Sequence, residues 1–362
     1  MVENRCQFWK NYDSVGGSVS YCELAAFNRS VNPAFLEQIG CTAEKRKECL
    51  GTMELNIGMG AVPAPPAPVV CDPPPEIAKN VVGLAEKKAA TASPSLQLLA
   101  ILAGAYIAMG AVLSTVVTND LANYIGDGLS RLVGGMTFSL GLILVILGGA
   151  ELFTGNNLMV TGYLQKKVTA QQVLKNWVWV YLFNFVGALV IVFIFYYSGI
   201  WKANSYGIAL KAIGTANAKV SLSWSEVFFR GIFCNWLVCL AVWLAMGAKE
   251  AISKIIGIMI PVTAFVAIGL EHSIANMYFI PMGIMLKDHV IAQGLMAPEL
   301  LQGLHWGGFF LKNLIPATIG NLVGGVIFVG VLYWSAYLRP SVRKLAEISG
   351  QREIRGAKPQ TM

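Results

Sequence analysis

Charged side chains are scarce in this chain of 362 residues: Asp, Glu, Lys and Arg make up 13% of it, against about a quarter in a typical soluble domain. The mean hydropathy is +0.58, and 55% of the residues are hydrophobic. These values argue against a soluble globular enzyme and against a disordered or collagen-like chain. A polytopic membrane protein remains. The net charge of +7 does not indicate nucleic-acid binding, because the basic residues are scattered beside apolar runs.

Residues that build metal and catalytic sites are also few. The chain has three histidines, and its seven cysteines form no CxxC pair, so neither a zinc site nor a disulfide framework is expected. Cys234 and Cys239 lie in an apolar run, where packing is the simpler interpretation. No glycine-rich phosphate loop or Ser-His-Asp arrangement is present. We therefore expect no metal, no cofactor and no enzymatic activity.

The N-terminal part of the chain has a different composition. Residues 1–58 contain no sustained apolar run, so no secretory signal is expected, and they are too acidic for a typical transit peptide. Residues 61–75 are rich in proline and should be extended. An alternative is that Met53 or Met59 is the true start. The predicted segments are a flexible extension (1–75), an amphipathic helix on the membrane surface (76–94), a transmembrane domain (95–338) and a basic cytoplasmic tail (339–362).

Apolar runs long enough to cross a bilayer occur six times in the transmembrane domain. The second and fifth runs are too long for one span, and polar residues interrupt each near its middle. Of the Lys and Arg residues that flank the runs, fourteen fall on one side and seven on the other, which predicts that both termini are cytoplasmic. The predicted spans are 96–118, 131–164, 176–198, 225–247, 255–286 and 313–337.

The first three spans and the last three are related by an internal repeat. Asn184-Phe-Val-Gly recurs 137 positions later as Asn321-Leu-Val-Gly, and a Lys-Asn pair precedes each at the same spacing. The interruptions correspond too, since 151–156 and 271–276 each begin with Glu and end with Asn. A duplicated three-span unit must run inverted in its second copy. An inverted repeat with both equivalent helices broken indicates a transport site at the midplane. The two repeats cover about 96–198 and 225–337.

Titratable side chains lie in both interrupted runs. His272 lies in the fifth run, next to Glu271, and a titratable group inside the membrane is costly and usually marks an ion or proton path. Glu151 and Glu271 either balance charge and carry protons, or accept hydrogen bonds from backbone that the breaks free. Both interpretations stay open. His289 and His305 fall in a long connection and are expected to be solvated.

Uncharged residues near the breaks have structural interpretations. An amide has a donor and an acceptor, so it can satisfy both kinds of freed backbone group. We assign this role to Asn156, Asn235, Asn276 and Asn321. On periodicity alone, the nearby apolar residues are ordinary interhelical packing.

Four long motifs follow one another through the apolar region. They are G-G-A-E-L-F-T-G-N (148–156), N-W-L-V-C-L-A-V-W (235–243), G-L-E-H-S-I-A-N-M-Y-F-I-P-M-G-I (269–284) and K-N-L-I-P-A-T-I-G-N-L-V-G-G (312–325). Together they closely resemble the formate–nitrite transporter family over about residues 76–338. The resemblance implies an all-α, aquaporin-like bundle of six spans, assembled as a homopentamer with one pore in each protomer.

The resemblance also implies a substrate class. The family moves small monovalent anions of weak acids, and the P-M-G-I segment is more similar to the formate branch. Formate is therefore the expected substrate, with nitrite, hydrosulfide or lactate as alternatives. A neutral-solute channel of the aquaporin type would carry two N-P-A-like turns, which are absent. A membrane-embedded enzyme would carry paired histidines or a cysteine cluster at membrane depth. The expected location is the bacterial inner membrane, or a plasma or plastid membrane if the source is eukaryotic.

Individual residues inherit expected roles from the family. Thr154 resembles the threonine of the mobile Ω loop that faces the central His272. Lys219 resembles the vestibule lysine, although composition alone makes it a solvated loop charge. Arg230 departs from the pattern, since an apolar residue is more usual there. Glu271, Asn235 and Asn276 resemble the polar network beside the lysine and the histidine.

The resemblance further implies two apolar constrictions in the pore. Phe138 and Phe265 resemble the outer one. The inner constriction is expected to comprise Leu142, Leu152, Phe153 and Val238.

A separate set of polar residues is assigned to structural positions: Glu151, Asn156, Asn184 and Asn321.

A mechanism follows from the cost of moving a bare anion through an apolar constriction. We hypothesise that Lys219 draws the anion into the vestibule, where the falling dielectric favours the neutral acid. The acid then crosses the constrictions, with the proton coming either from His272 or from bulk water.

Overall fold

The computed structural model describes residues 9–14, 17–22 and 71–339. The chain divides into two compact units, Met1–Pro68 and Val69–Met362. In the first unit, the two short described segments are strands β1 (Trp9–Ser14) and β2 (Gly17–Cys22), which pair as an antiparallel hairpin. Most of the predicted proline-rich linker and all of the predicted tail beyond residue 339 lie outside the described residues.

Helices make up nearly all of the second unit between residues 71 and 339, where one isolated bridge joins Cys71 to Ala248. Short 3₁₀ turns occur at Ile200–Lys202 and Pro298–Leu301. The helices are α1 (Pro74–Ala90), α2 (Ser93–Val117), α3 (Ala122–Ile125), α4 (Asp127–Leu147), α5 (Phe153–Asn156), α6 (Met159–Leu164), α7 (Ala170–Ser198), α8 (Gly207–Ser221), α9 (Trp224–Gly247), α10 (Ala251–Ile268), α11 (Ser273–Ala292) and α12 (Gly308–Tyr337), the last containing π-helical stretches.

Six of these helices, α2, α4, α7, α9, α10 and α12, are long and apolar enough to cross a membrane. After a break, α4 is followed by the short helices α5 and α6, and α10 is followed by α11. The predicted fold class of six spans with two broken helices is therefore confirmed. Two spans begin at capping boxes, in which Thr169 and Ser223 exchange hydrogen bonds with the residue three positions later.

Each repeat includes one more helix than its three spans, and that helix precedes the first span. Helix α1 is the counterpart of α8, because each ends in a lysine just before a span, Lys88 and Lys219, 131 positions apart. Composition alone makes Lys219 a loop charge, but the structure places it in the last turn of α8. The apolar face of α1, including Ile77 and Val81, is buried in a cluster with Trp243 of α9. Its position at the membrane surface stays a prediction.

Glycines let the spans of each repeat approach backbone to backbone. A Cβ at Gly187 of α7 would lie 1.9 Å from the carbonyl oxygen of Ile101 in α2. At the equivalent place in the second repeat, a Cβ at Gly324 of α12 would lie 2.2 Å from the carbonyl oxygen of Ile232 in α9. Small residues at helix interfaces are typical of membrane bundles, where association depends on close packing.

Gly187→Ala is expected to lower the free energy of unfolding by about 1–3 kcal/mol, because the added methyl group overlaps the α2 backbone. The matched control is Gly214→Ala in α8, where nothing lies within 4 Å of the added Cβ. The control should be neutral or stabilising by up to about 1 kcal/mol, since alanine favours the helix. Unfolding of the detergent-solubilised protein by SDS titration measures both. Equal losses in the two variants would contradict the packing argument.

Candidate functional site

Both helix breaks have the same backbone geometry. Helix α4 is followed by Gly149 with φ +72°, and α10 by Gly269 with φ +85°. In each case the next amide donates five residues back, from Ala150 to Val145 and from Leu270 to Phe265. This left-handed glycine termination stops a helix abruptly and satisfies its last carbonyl groups. It directs the chain inward at two positions that the repeat relates.

One asparagine on the third span of each repeat holds the broken backbone. The side-chain oxygen of Asn184 accepts from the amide of Phe153 at 3.0 Å, and its Nδ2 donates to the carbonyl oxygen of Glu151 at 2.9 Å. Asn321 repeats the pattern with the amide of Ser273 and the carbonyl oxygen of Glu271, both at 2.9 Å. Both amides are fully buried. These contacts supply partners that the breaks removed, which matters where no water reaches.

Each break also carries a buried carboxylate paired with a lysine. Glu271 accepts from Lys219 at 2.8 Å and from Asn276 at 2.7 Å. The first repeat has the same arrangement, in which Glu151 accepts from Lys88 at 2.8 Å and from Asn156 at 2.7 Å. A second asparagine completes each network, Asn176 in one repeat and Asn313 in the other.

Sequence reasoning did not assign Lys88, Asn176 or Asn313 to the site. The signal was present in the spacing, since Lys88 precedes Lys219 by the same 131 positions that relate α1 to α8. The structure therefore favours charge balance for Glu151 and Glu271, with each carboxylate held by one lysine and by asparagine amides.

His272 stands at the N-cap of α11 and faces the first break. Its Nδ1 accepts from the amide of Ala275 at 3.0 Å, and its Nε2 lies 2.9 Å from the hydroxyl oxygen of Thr154. Because Nδ1 is the acceptor, the proton of the neutral ring lies on Nε2 and is donated to Thr154. A positive ring would lose the cap and would oppose the helix dipole. The arrangement thus favours neutral His272 with one defined tautomer.

A cavity of about 350 Å³ leads from the protein surface to His272. Lys219, Glu271 and Asn276 line it together with Phe138 and Phe265. The two phenylalanine rings meet edge to face with centroids 5.8 Å apart, and Phe265 stacks on His272. The remaining apolar residues assigned to the inner constriction, Leu142, Leu152, Phe153 and Val238, are all buried in the core.

The amide of Asn235 binds the backbone of two other segments. Its Nδ2 donates to the carbonyl oxygens of Asn321 at 2.7 Å and of Thr154 at 3.3 Å. It therefore supports the loop that carries Thr154, and its place in the network of Lys219 and His272 stays a prediction. Cys239 donates to the same Thr154 carbonyl at 3.4 Å. Within residues 71–339, no group of three or more His, Cys, Asp and Glu side chains is placed to hold a metal ion.

The two broken helices meet inside a six-span bundle, at the interface of the inverted repeats and beside a vestibule. This arrangement is typical of a membrane transport protein. The family model described as "Formate/nitrite transporter" matches residues 75–335. This chain belongs to the formate/nitrite transporter family, as the four motifs predict. The family consists of transporters, in keeping with the expectation of a protein that is not an enzyme.

Several relatives carry names that refer to formate. A "Probable formate transporter" of Methanothermobacter thermautotrophicus is 44% identical over 281 residues, which cover 74% of this chain and 97% of the relative. "Formate channel FocA" of Escherichia coli (strain K12) is 41% identical over 246 residues, 67% of this chain and 86% of the relative.

Two solved structures are also similar. The first, "Pentameric formate channel with formate bound", has a TM-score of 0.62 at 35% identity and covers 68% of this chain and 98% of its own. The second, "FNT family ion channel", has a TM-score of 0.62 at 28% identity and covers 73% and 99%. These likenesses agree with the six-span architecture.

Proposed function

We propose that this protein carries formate across its membrane together with a proton, as a homopentamer with one pore in each protomer. The relatives named for formate and the solved pentameric channel with formate bound support the substrate and the assembly. The vestibule supports an anionic substrate, since basic side chains line it. Nitrite, which the family description also names, is the second candidate.

The contact between His272 and Thr154 is the observation that carries the proposal. It joins the two broken helices at the inner end of the vestibule, through a hydrogen bond of 2.9 Å in which both side chains are buried. The Nε2–H of the neutral ring can hydrogen-bond to an arriving carboxylate oxygen. For His272 to pass a proton on, Nδ1 must release the amide of Ala275 and take up a proton from water as Nε2 gives one to the carboxylate, so that the ring stays neutral overall.

The apolar rings around this contact explain why a proton should travel with the anion. A bare charge that enters between Phe138 and Phe265 loses hydration, and in a low-dielectric surrounding that costs many kcal/mol. Protonation removes most of this cost, because burial disfavours the charged form of an acid. The neutral acid then crosses the constrictions. Lys219 stabilises the anion before protonation, and Glu271 keeps the lysine in place.

We further propose that the protein lies in a plasma membrane, bacterial inner or eukaryotic, with a plastid membrane as the alternative, and with both termini in the cytoplasm. The charge count supports this orientation, with fourteen basic residues against seven. Asp72, just before α1, pairs with Lys249 between α9 and α10, so these segments share one face. The vestibule with Lys219 then opens to the outside, and Lys88 lies nearer the cytoplasm.

Uptake into proteoliposomes tests the function directly. Formate, nitrite and hydrosulfide are compared between about pH 5 and pH 8, with empty liposomes as the control. We expect formate to dominate and its flux to rise as the pH falls, since more of the acid is then protonated. Equal flux of all three would indicate a general weak-acid pore. No flux of any of them would overturn the proposal.

A further inference from the structure

Four basic side chains line the vestibule: Arg131, Lys211, Lys219 and Arg230. Among the described residues that line it, Glu271 is the one carboxylate. Because Glu271 pairs with Lys219 at 2.8 Å, the pair adds no net charge to the long-range field of the vestibule, and Lys219 acts on an anion only at close range. The remaining positive charge of the vestibule therefore belongs to the other three side chains, which the transport mechanism above does not use.

Two of these side chains converge on one residue. Arg230 of α9 donates from Nη1 to the carbonyl oxygen of Gly269 at 3.4 Å. Arg131 of α4 places its Nη1 4.0 Å from the point where a Cβ of Gly269 would lie. The left-handed glycine that ends α10 thus leaves room for a guanidinium and presents a carbonyl group to another. The two arginines come from different repeats and meet at the mouth of the vestibule.

Each arginine pairs with a carboxylate on its own helix but keeps N–H donors free of that carboxylate. Arg131 uses Nε to bind Asp127 at 2.8 Å, and Arg230 approaches Glu226 only at 3.9 Å. The two side chains are 54% and 41% exposed, so both guanidinium groups can reach a ligand in the cavity. Each guanidinium has five N–H donors in a planar fork that suits an oxyanion. Lys211 has no ion-pair partner within the part of the chain that the structure describes.

The repeat has no copy of this cluster. The machinery of the breaks is duplicated, since Lys88 and Glu151 match Lys219 and Glu271. The offset of 120 positions from Glu151 to Glu271 relates Arg131 to Ala251. The offset of 131 positions from Lys88 to Lys219 relates Lys211 to Asn80 and Arg230 to Leu99. None of these three counterparts is charged. The cluster is therefore an addition to one face of the transporter and is not required by the shared pore.

We propose that Arg131, Arg230 and Lys211 form an oxyanion-capture site at the mouth of the vestibule. The site concentrates monovalent carboxylates before they reach Lys219, a role that rests on the proposed function. It also binds divalent oxyanions such as sulfate, which holds whatever the protein transports. One proton does not neutralise a divalent anion, so sulfate stops at the site and blocks entry from this face alone.

Sulfate binding to the solubilised full-length protein tests the site without any transport. Radiolabelled sulfate is titrated at low ionic strength against the parent, Arg131→Gln with Arg230→Gln, and Lys202→Gln. The last is a matched control, because Lys202 is an exposed cation outside the vestibule lining. We expect the dissociation constant to rise about tenfold or more in the double variant and to change less than about twofold in the control. Equal binding in all three proteins, or none in the parent, would overturn the site.

Formate flux at low ionic strength separates the two proposals. The double variant should raise the KM for entry from the vestibule face about fivefold, leave the limiting rate unchanged and lose inhibition by external sulfate. The KM difference should disappear in high salt, because exposed charges are screened. Arg230→Lys keeps the positive charge but loses the planar guanidinium. Its KM for formate should therefore stay close to that of the parent, whereas its affinity for sulfate should fall. Sulfate binding without formate flux would leave the site standing and contradict the proposed function; formate flux with an unchanged KM would contradict the site.

Discussion

His272→Asn is expected to lower acid-stimulated formate flux by about tenfold or more while the protein keeps its fold. Asparagine is a good N-cap residue and can still accept from the amide of Ala275, so the start of α11 is preserved. The variant has no titratable ring nitrogen to donate a proton toward the substrate. Flux in proteoliposomes between about pH 5 and pH 8, set beside thermal unfolding of the same preparation, measures both effects.

Thr154 provides the matched comparison for this prediction. Thr154→Ser keeps a hydroxyl group for His272 Nε2, whereas Thr154→Val keeps the shape and removes the hydroxyl group. We expect the serine variant to resemble the parent and the valine variant to share part of the His272→Asn loss. If His272→Asn matches the parent at every pH, the proton reaches the substrate from bulk water and the relay is wrong.

Lys219→Met is expected to lower the free energy of unfolding by about 3–5 kcal/mol, because it leaves a buried carboxylate without its cation. The side chain of Glu271 is only 3% exposed. Adding Glu271→Gln should recover most of the loss, since the glutamine oxygen can still accept from Asn276 and Asn313. SDS titration of the solubilised protein gives the free energies of the two variants.

The equivalent pair of the first repeat should behave in the same way. Lys88→Met leaves Glu151 uncompensated at similar burial, and Glu151→Gln should rescue it. Lys202→Met is the control, because Lys202 is exposed and has a cation–π contact with Trp201 at 5.3 Å in place of a buried carboxylate, and its change should stay within about 1 kcal/mol. A single Lys219→Met variant as stable as the double variant would show that Glu271 carries no uncompensated charge, contrary to the pairing argument.

The six spans and both breaks could be predicted from the sequence, because lipid imposes local requirements. Each span needs a long apolar run, and a break at membrane depth shows as polar residues inside such a run. Asn184 and Asn321 could be assigned structural roles because the repeat placed them equivalently. Helix α8 was missed, since its residues, Lys219 among them, show no long apolar run and resemble a connection.

The partners of the polar residues could not be predicted from the chain alone. Thr154 and His272 were brought together by family resemblance, and no spacing in the sequence would have done so. The sequence also does not show which carbonyl groups Asn235 binds, those of Thr154 and Asn321. Which of several nearby groups an amide binds depends on distances of a few tenths of an ångström, and these are set by helix packing.

The sequence by itself determined the class of protein, the inverted repeat, the position of the breaks and the family. These properties depend on the order of residues within one segment or on the comparison of two segments. Only the tertiary structure decided that Lys88 balances Glu151 and that Arg131 and Arg230 meet at Gly269. The physical reason is that electrostatic pairing depends on separation in space, and those groups come from helices far apart in the chain that touch only when the bundle is packed.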